Sequence, residues 1–237
     1  LSCSRTSHHW ATIRWRNIYG RSVYGNRARL TPEIRETRIT WEDPANANVQ
    51  GTKTSTGAGA SGGAGGSGQS QLQVDRAQVG TVRWDNQAEQ NSTLDTSYTA
   101  SKSPYLRLEF GHSVAAAETR IFIGLRTTPG NALPGTGENH AGLQWDGAAW
   151  AQIHSSGGGS QASAAVTVSA AARHVVEIWI QSTVAVEVWV DGVIVARVST
   201  NLPTGSLEWT ILYMSAGGAV GIAYMTLGEL LVQEALA

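Results

Sequence analysis

Cysteine is nearly missing from this chain: Cys3 is the only one among 237 residues. No intrachain disulfide can form, and no thiolate-rich metal site can be built. Lysine is almost as scarce, with Lys53 and Lys102 the only two, so arginine supplies the other fifteen of the 17 basic groups. Charged residues of all kinds reach only 15%, which is low for a soluble domain. Phenylalanine occurs twice, at Phe110 and Phe122. No apolar run approaches the roughly 20 residues of a membrane-spanning helix, and no signal-peptide pattern opens the chain. No membrane partner is therefore expected.

Glycine (27) and tryptophan (9) are plentiful instead. A buried indole N–H needs an acceptor, so tryptophan favours half-exposed faces and interfaces. Charge is unevenly spread. Residues 1–41 hold Arg5, Arg14, Arg16, Arg21, Arg27, Arg29, Arg35 and Arg38 against Glu33 and Glu36. That is a surplus of six in a chain of net charge −1, so the remainder carries −7. A basic arm on an acidic body implies a partner for the arm.

Three regions follow. Residues 1–50 have too few aliphatics to build a core and read as an extended basic docking arm. Its candidate contact residues are Arg14, Trp15, Arg16, Tyr19, Arg21, Tyr24, Arg27, Arg29, Arg38 and Trp41. Strand-like alternation at 11–18 and 36–42 suggests pairing with a partner's sheet edge. Residues 51–75 contain GAGASGGAGGSG at 57–68, a Gly/Ala/Ser linker expected to be ordered only where an assembly holds it. Residues 76–237 show many short strands separated by turn residues and no helical period. That pattern reads as an all-β sandwich.

The sharpest local signal is VAVEVWVDGVIVARVS at 184–199. Asp191-Gly192 suits the two positive-φ positions of a type I′ hairpin. The implied register sets Val190 against Val193 and Val188 against Val195 on an aliphatic side. It sets Trp189 against Ile194 and Glu187 against Ala196 on the other. The preceding strand repeats the alternation, so Glu177, Trp179, Glu187 and Trp189 are expected on one outer face, joined by Trp209 if Leu207 and Ile211 take the boundary.

The segments ETRIFIGLR (118–126), HAGLQWDG (140–147), RHVVEIWI (173–180) and VEVWVDGVIVARVSTNLPTG (186–205), with the closing strand from Ala219, resemble the concanavalin A-like jelly-roll superfamily, laminin-G-like modules included. The cadence is most similar to the versions in head-decoration, fibre and tail proteins of tailed bacteriophages. Gly124-Leu125, Gly142-Leu143-Gln144, Val190-Asp191-Gly192 and Asn201 to Gly205 carry the likeness, which covers about 76–237. It implies a two-sheet antiparallel jelly-roll sandwich, here with an extended N-terminal arm.

Glycosidases of this fold set paired carboxylates across a cleft, but no Glu-x-Asp-x-Glu pattern occurs, and Glu177, Glu187 and Glu208 each stand alone on a strand. No nucleophile elbow marks a serine hydrolase. The six histidines show no metal-ligand spacing. Domains of this fold often use calcium, for which Asp146 and Glu138-Asn139 are the loop candidates, although Asp before Gly is more often a turn former. No cofactor is expected. The arm's arginines favour carboxylates of a protein partner over nucleic acid.

The expected function is therefore a virion structural protein, a capsid-decoration or fibre subunit at the virion surface. It would dock on other capsid or tail proteins and on copies of itself as a homo-oligomer, with a trimer one arrangement. The alternative is a lectin-like module that binds host-surface glycans, with Trp145, Trp150, Glu177, Trp179, Glu187 and Trp189 as its ligand face. A third reading is a polysaccharide hydrolase or lyase of the same fold. Binding without catalysis is expected over that third reading.

Overall fold

The computed structural model describes residues 34–40, 52–58, 60–64, 70–85, 97–113, 116–128, 130–169 and 173–235. They form a two-sheet antiparallel jelly-roll sandwich. Strands are numbered in chain order. The first sheet runs β14 (Val193–Val198), β13 (Ala185–Val190), β12 (Arg173–Gln181), β7 (Tyr105–His112), β16 (Ile222–Ala235), β4 (Ser70–Asp75) and β3 (Ala60–Ala64). β1 (Ile34–Thr40) also pairs with β16. The second runs β11 (Gln161–Val166), β10 (Trp150–Ser156), β9 (Asn139–Trp145), β8 (Thr119–Arg126), β15 (Ser206–Ala216), β5 (Val79–Asp85) and β2 (Thr52–Thr56), with β6 (Tyr98–Thr99) on β15. Among the described residues no helix is long and apolar enough to cross a membrane.

The sandwich follows from period-two burial. On β12 the side chains of His174, Val176, Ile178 and Ile180 are buried, while Val175, Glu177 and Trp179 between them are half-buried. The inward rows of both sheets meet in one core, with Leu106, Leu108, Phe110 and Met225 on one side and Ile121, Ile123, Leu143 and Ile211 on the other. Trp209 is fully buried in that core beside Leu207 and Ile211. It therefore does not join the outer Trp/Glu face, because Leu207, Trp209 and Ile211 all point inward from β15.

Two of the expected regions look different in the structure. β2, β3 and β4 lie inside the 51–75 segment read as a linker, and each is a strand of the sandwich. Small residues fit a strand as well as a flexible tether when a neighbouring strand satisfies their backbone groups. β1, expected to pair with a partner's sheet edge, pairs instead with β16 of its own chain, Ile34 opposite Ala235 through Thr40 opposite Glu229. The fourteen-residue β16 is long enough to take β4 along its first half and β1 along its second. Arg38 sits in β1, with its Nε 3.3 Å from Glu36 and its Nη1 3.5 Å from Glu229. The other arm candidates, and the 11–18 strand, lie outside the described residues.

The Asp191-Gly192 hairpin forms with φ of 52° and 78°, both left-handed. Val190 faces Val193 and Trp189 faces Ile194 as the register implies, but the pairing slips between Val188 and Trp189. Val188 then opposes Ala196, not Val195, and Glu187 opposes Arg197, not Ala196. A one-residue bulge is common in a strongly twisted edge pair, and no turn motif announces it.

Candidate functional site

The outer surface of the first sheet carries the candidate site. β12 and β13 pair Glu177 with Trp189 and Trp179 with Glu187. Alternation turns all four outward, so two indoles occupy one diagonal of a square and two carboxylates the other. Diagonal neighbours on such a pair lie ~7–8 Å apart. β7 adds Tyr105 beside Trp179 and Arg107 beside Glu177, and β14 adds Ile194 and Arg197.

Each carboxylate is held by neighbours. The Tyr105 hydroxyl donates to Glu177 Oε1 at 2.8 Å. Arg197 Nε donates to Glu187 Oε1 at 2.9 Å, and Trp189 Nε1 donates to Glu187 Oε2 at 3.3 Å. Glu187 thereby fixes the indole beside it and is itself only 8% exposed. Trp179 Nε1 is buried with no hydrogen-bond partner among the described residues. Both indoles are half-buried, and Ile194 at the sheet edge is 43% exposed. The chemistry on offer is flat apolar area beside ordered acceptors and a guanidinium, which suits a ligand with apolar faces and directional hydroxyls.

Trp145 and Trp150, expected on the same ligand face, lie elsewhere. Trp150 is 4% exposed and packs in the core against Trp145, with ring centroids 5.7 Å apart. Trp145 Nε1 donates to Ala116 O at 3.1 Å. Both residues belong to the second sheet and point inward, so they cannot extend the surface of the first. The calcium candidates serve local structure. Asp146 Oδ1 accepts from Ala148 N and Ala149 N at 2.8 and 2.9 Å, which holds its carboxyl below the usual range. Glu138 pairs with Arg126 at 2.5 and 2.7 Å, and Asn139 Oδ1 accepts from Thr204 N at 3.0 Å. Among the described residues no group of three or more His, Cys, Asp or Glu side chains could hold a metal.

A second constellation went unnoticed in the sequence. Ser169, His174 and Asp191 meet at one end of the sandwich, beside the buried ring of His112. Its one sequence signal is His174 at an inward position of β12, where an imidazole needs polar company.

No family model matches the chain, and no curated protein matches it in sequence. Solved structures share its fold at low identity. The carbohydrate recognition domain of Emp47p superposes with a TM-score of 0.59 at 11% identity, over 84% of this chain and 95% of that one. A Bacillus licheniformis β-glucanase gives 0.55 at 11% identity, over 88% of this chain and 100% of that one. The binding domain of botulinum neurotoxin DC, in a complex with rat synaptotagmin II, gives 0.53 at 9%, over 84% of this chain and 49% of that one. The likeness is one of fold: a two-sheet antiparallel jelly-roll sandwich that these domains share. These neighbours overturn the expectation of a phage capsid-decoration or fibre subunit, since the cadence that suggested it belongs to the fold and not to virion proteins.

Proposed function

We propose that this chain is a carbohydrate-recognition module whose ligand face is the outer surface of the first sheet. Trp179 and Trp189 supply the platforms, and Glu177 and Glu187 supply acceptors for sugar hydroxyls. The observation that carries the reading is the β12–β13 register, which sets two indoles and two carboxylates on crossed diagonals of one face. A sugar ring presents axial C–H groups to an aromatic plane and its hydroxyls to the side, so it can use both diagonals at once. Glu187 keeps Trp189 oriented before any ligand arrives, which lowers the ordering cost of binding. The fold neighbours, one of them a carbohydrate recognition domain, support the reading. Recognition, not cleavage of glycosidic bonds, is the reading proposed. An extracellular or cell-surface setting, where glycans are met, goes with it.

A glycan array followed by titration of intrinsic tryptophan fluorescence tests the proposal. Trp189→Ala should weaken the best ligand about tenfold, or ~1.4 kcal/mol, with the unfolding temperature little changed. An array with no ligand, or wild-type affinity in both Trp189→Ala and Trp179→Ala, refutes it.

A further inference from the structure

At the far end of β12 three side chains from separate stretches of chain line up. The Ser169 hydroxyl lies 3.1 Å from His174 Nε2. His174 Nδ1 lies 2.8 Å from Asp191 Oδ2. Asp191 Oδ1 accepts from Val175 N at 2.9 Å, and Asp191 N donates to Val175 O at 2.8 Å. The carboxylate is thus fixed from two directions, on a residue held at φ 52° by the hairpin. Ser169 is exposed, whereas His174 is 6% exposed.

We propose that Ser169, His174 and Asp191 form an acyl-transfer site that cleaves carboxylic esters. Ser169 is the nucleophile, His174 the general base and acid, and Asp191 the residue that positions the imidazole. Asp191 accepts the Nδ1–H bond, which turns the Nε2 lone pair towards the serine. The serine oxygen bonds to the ester carbonyl carbon while its proton passes to Nε2. The carbon–oxygen bond to the alcohol then breaks, and the alcohol leaves with that proton. Water repeats the sequence on the acyl-serine, releasing the acid and restoring the hydroxyl. Esters are the acyl donors that ask least of such a site, since an alcohol is a better leaving group than an amine.

A second imidazole lies beside the same place. His112 is 2% exposed, with the Ser169 backbone a hydrogen-bonding neighbour of its ring. Its ring stacks on Phe110 and tilts against Trp150, with centroids 6.2 and 5.5 Å apart. Trp150 Nε1 is buried with no hydrogen-bond partner among the described residues. Phe110 also packs against His174, with centroids 6.1 Å apart, so the two imidazoles flank one ring.

One contact sets the armed state. Nε2 also lies 3.0 Å from the backbone oxygen of Ser169. A protonated Nε2 donates to that carbonyl, while a neutral one accepts from the hydroxyl, so only the neutral ring activates the serine. The site is separate from the Trp/Glu face and does not rest on the glycan reading.

The test uses the full chain, a fluorophosphonate probe and p-nitrophenyl acetate. One label per chain is expected, located on Ser169 by peptide mass spectrometry. Ester hydrolysis should fall about a hundredfold or more in Ser169→Ala, an exposed change that leaves folding intact, with glycan binding retained. Asp191→Asn keeps a residue tolerant of positive φ. It should lower kcat with KM little changed, because Asn no longer holds the imidazole in the tautomer that leaves Nε2 free to accept the serine proton. A chain that leaves Ser169 unlabelled, or hydrolyses the ester as fast with Ser169→Ala, overturns the proposal.

Discussion

Arg197 lies opposite Glu187, with its Nε 2.9 Å from Oε1, only because the β13–β14 register slips between Val188 and Trp189. Without the slip Ala196 would stand there and the carboxylate would lack its cation. Arg197 is 53% exposed and Glu187 nearly buried, so screening keeps the pair modest. A double-mutant cycle of Arg197→Ala and Glu187→Gln in urea unfolding should give a coupling of ~0.5–1 kcal/mol. Sugar affinity should respond more to Glu187→Gln than stability does, since the carboxylate also holds the Trp189 indole. A coupling near zero would mean that the bulge has no electrostatic role.

Glycines Gly124 and Gly142 face each other across β8 and β9, and the Phe122 ring lies over both. A Cβ on Gly124 would meet Ala141 O at 2.3 Å and the Phe122 ring at 2.8 Å. A Cβ on Gly142 would meet Ile123 O at 2.5 Å and the ring at 2.6 Å. Gly124→Ala and Gly142→Ala should each cost ~1–3 kcal/mol or more in chemical unfolding. Phe122→Ala should not rescue them, because backbone oxygens remain in the way.

Much of this architecture was legible in the chain. Alternation in RHVVEIWI and VAVEVWV is set by which face is buried, so the sandwich and the outward positions of Glu177, Trp179, Glu187 and Trp189 could be read directly. Trp145, Trp150 and Trp209 could not be assigned, because an indole suits both a half-open face and a core with an acceptor in reach. The β13–β14 bulge was invisible, since either register places a valine or alanine against Val188. The Ser169–His174–Asp191 alignment depends on a loop, a strand and a hairpin meeting at one end, which no spacing encodes. The virion expectation failed for a different reason: a jelly-roll cadence reports strand lengths and turns, which unrelated functions share.

Stability should fall on mild acidification. Burial holds His112, His140 and His154 below the ordinary imidazole range. The His174 charge adds to this for His112, while backbone hydrogen bonds to Ser169, Glu138 and Thr200 oppose it for His112, His140 and His154 in turn. In the unfolded chain these rings titrate near ~6.5. Below that pH the unfolded state takes up protons that the folded state refuses, so stability present above ~6.5 is lost as pH falls through the lowered folded values. Urea unfolding at pH 7.5 and 5.0 should show the loss, and a folded His154→Gln variant should show a shallower one. A flat profile would show that these rings are as easily protonated folded as unfolded.

Arg126 anchors the 127–138 segment on the outer face of the second sheet. Its side chain is 4% exposed, and its Nε and Nη2 donate to Glu138 at 2.5 and 2.7 Å. Nη1 donates to Ala132 O at 2.9 Å and to Gly130 O at 3.3 Å. One guanidinium therefore closes both ends of a loop whose apolar anchors are the buried Pro134 and Leu133, the latter packed near Phe122, Ile153 and Leu212. Arg126→Met keeps most of the side-chain volume and removes every donor. The Ala132 carbonyl and the Glu138 carboxylate then lose their partner, at a cost of ~1–3 kcal/mol. Because the contacts are local, the loss should be uneven. Hydrogen exchange should accelerate across 130–138 well before it does in β8 and β9, and limited proteolysis should cut there first. Uniform acceleration across the second sheet would instead make Arg126 part of the global fold and not the tether of one loop.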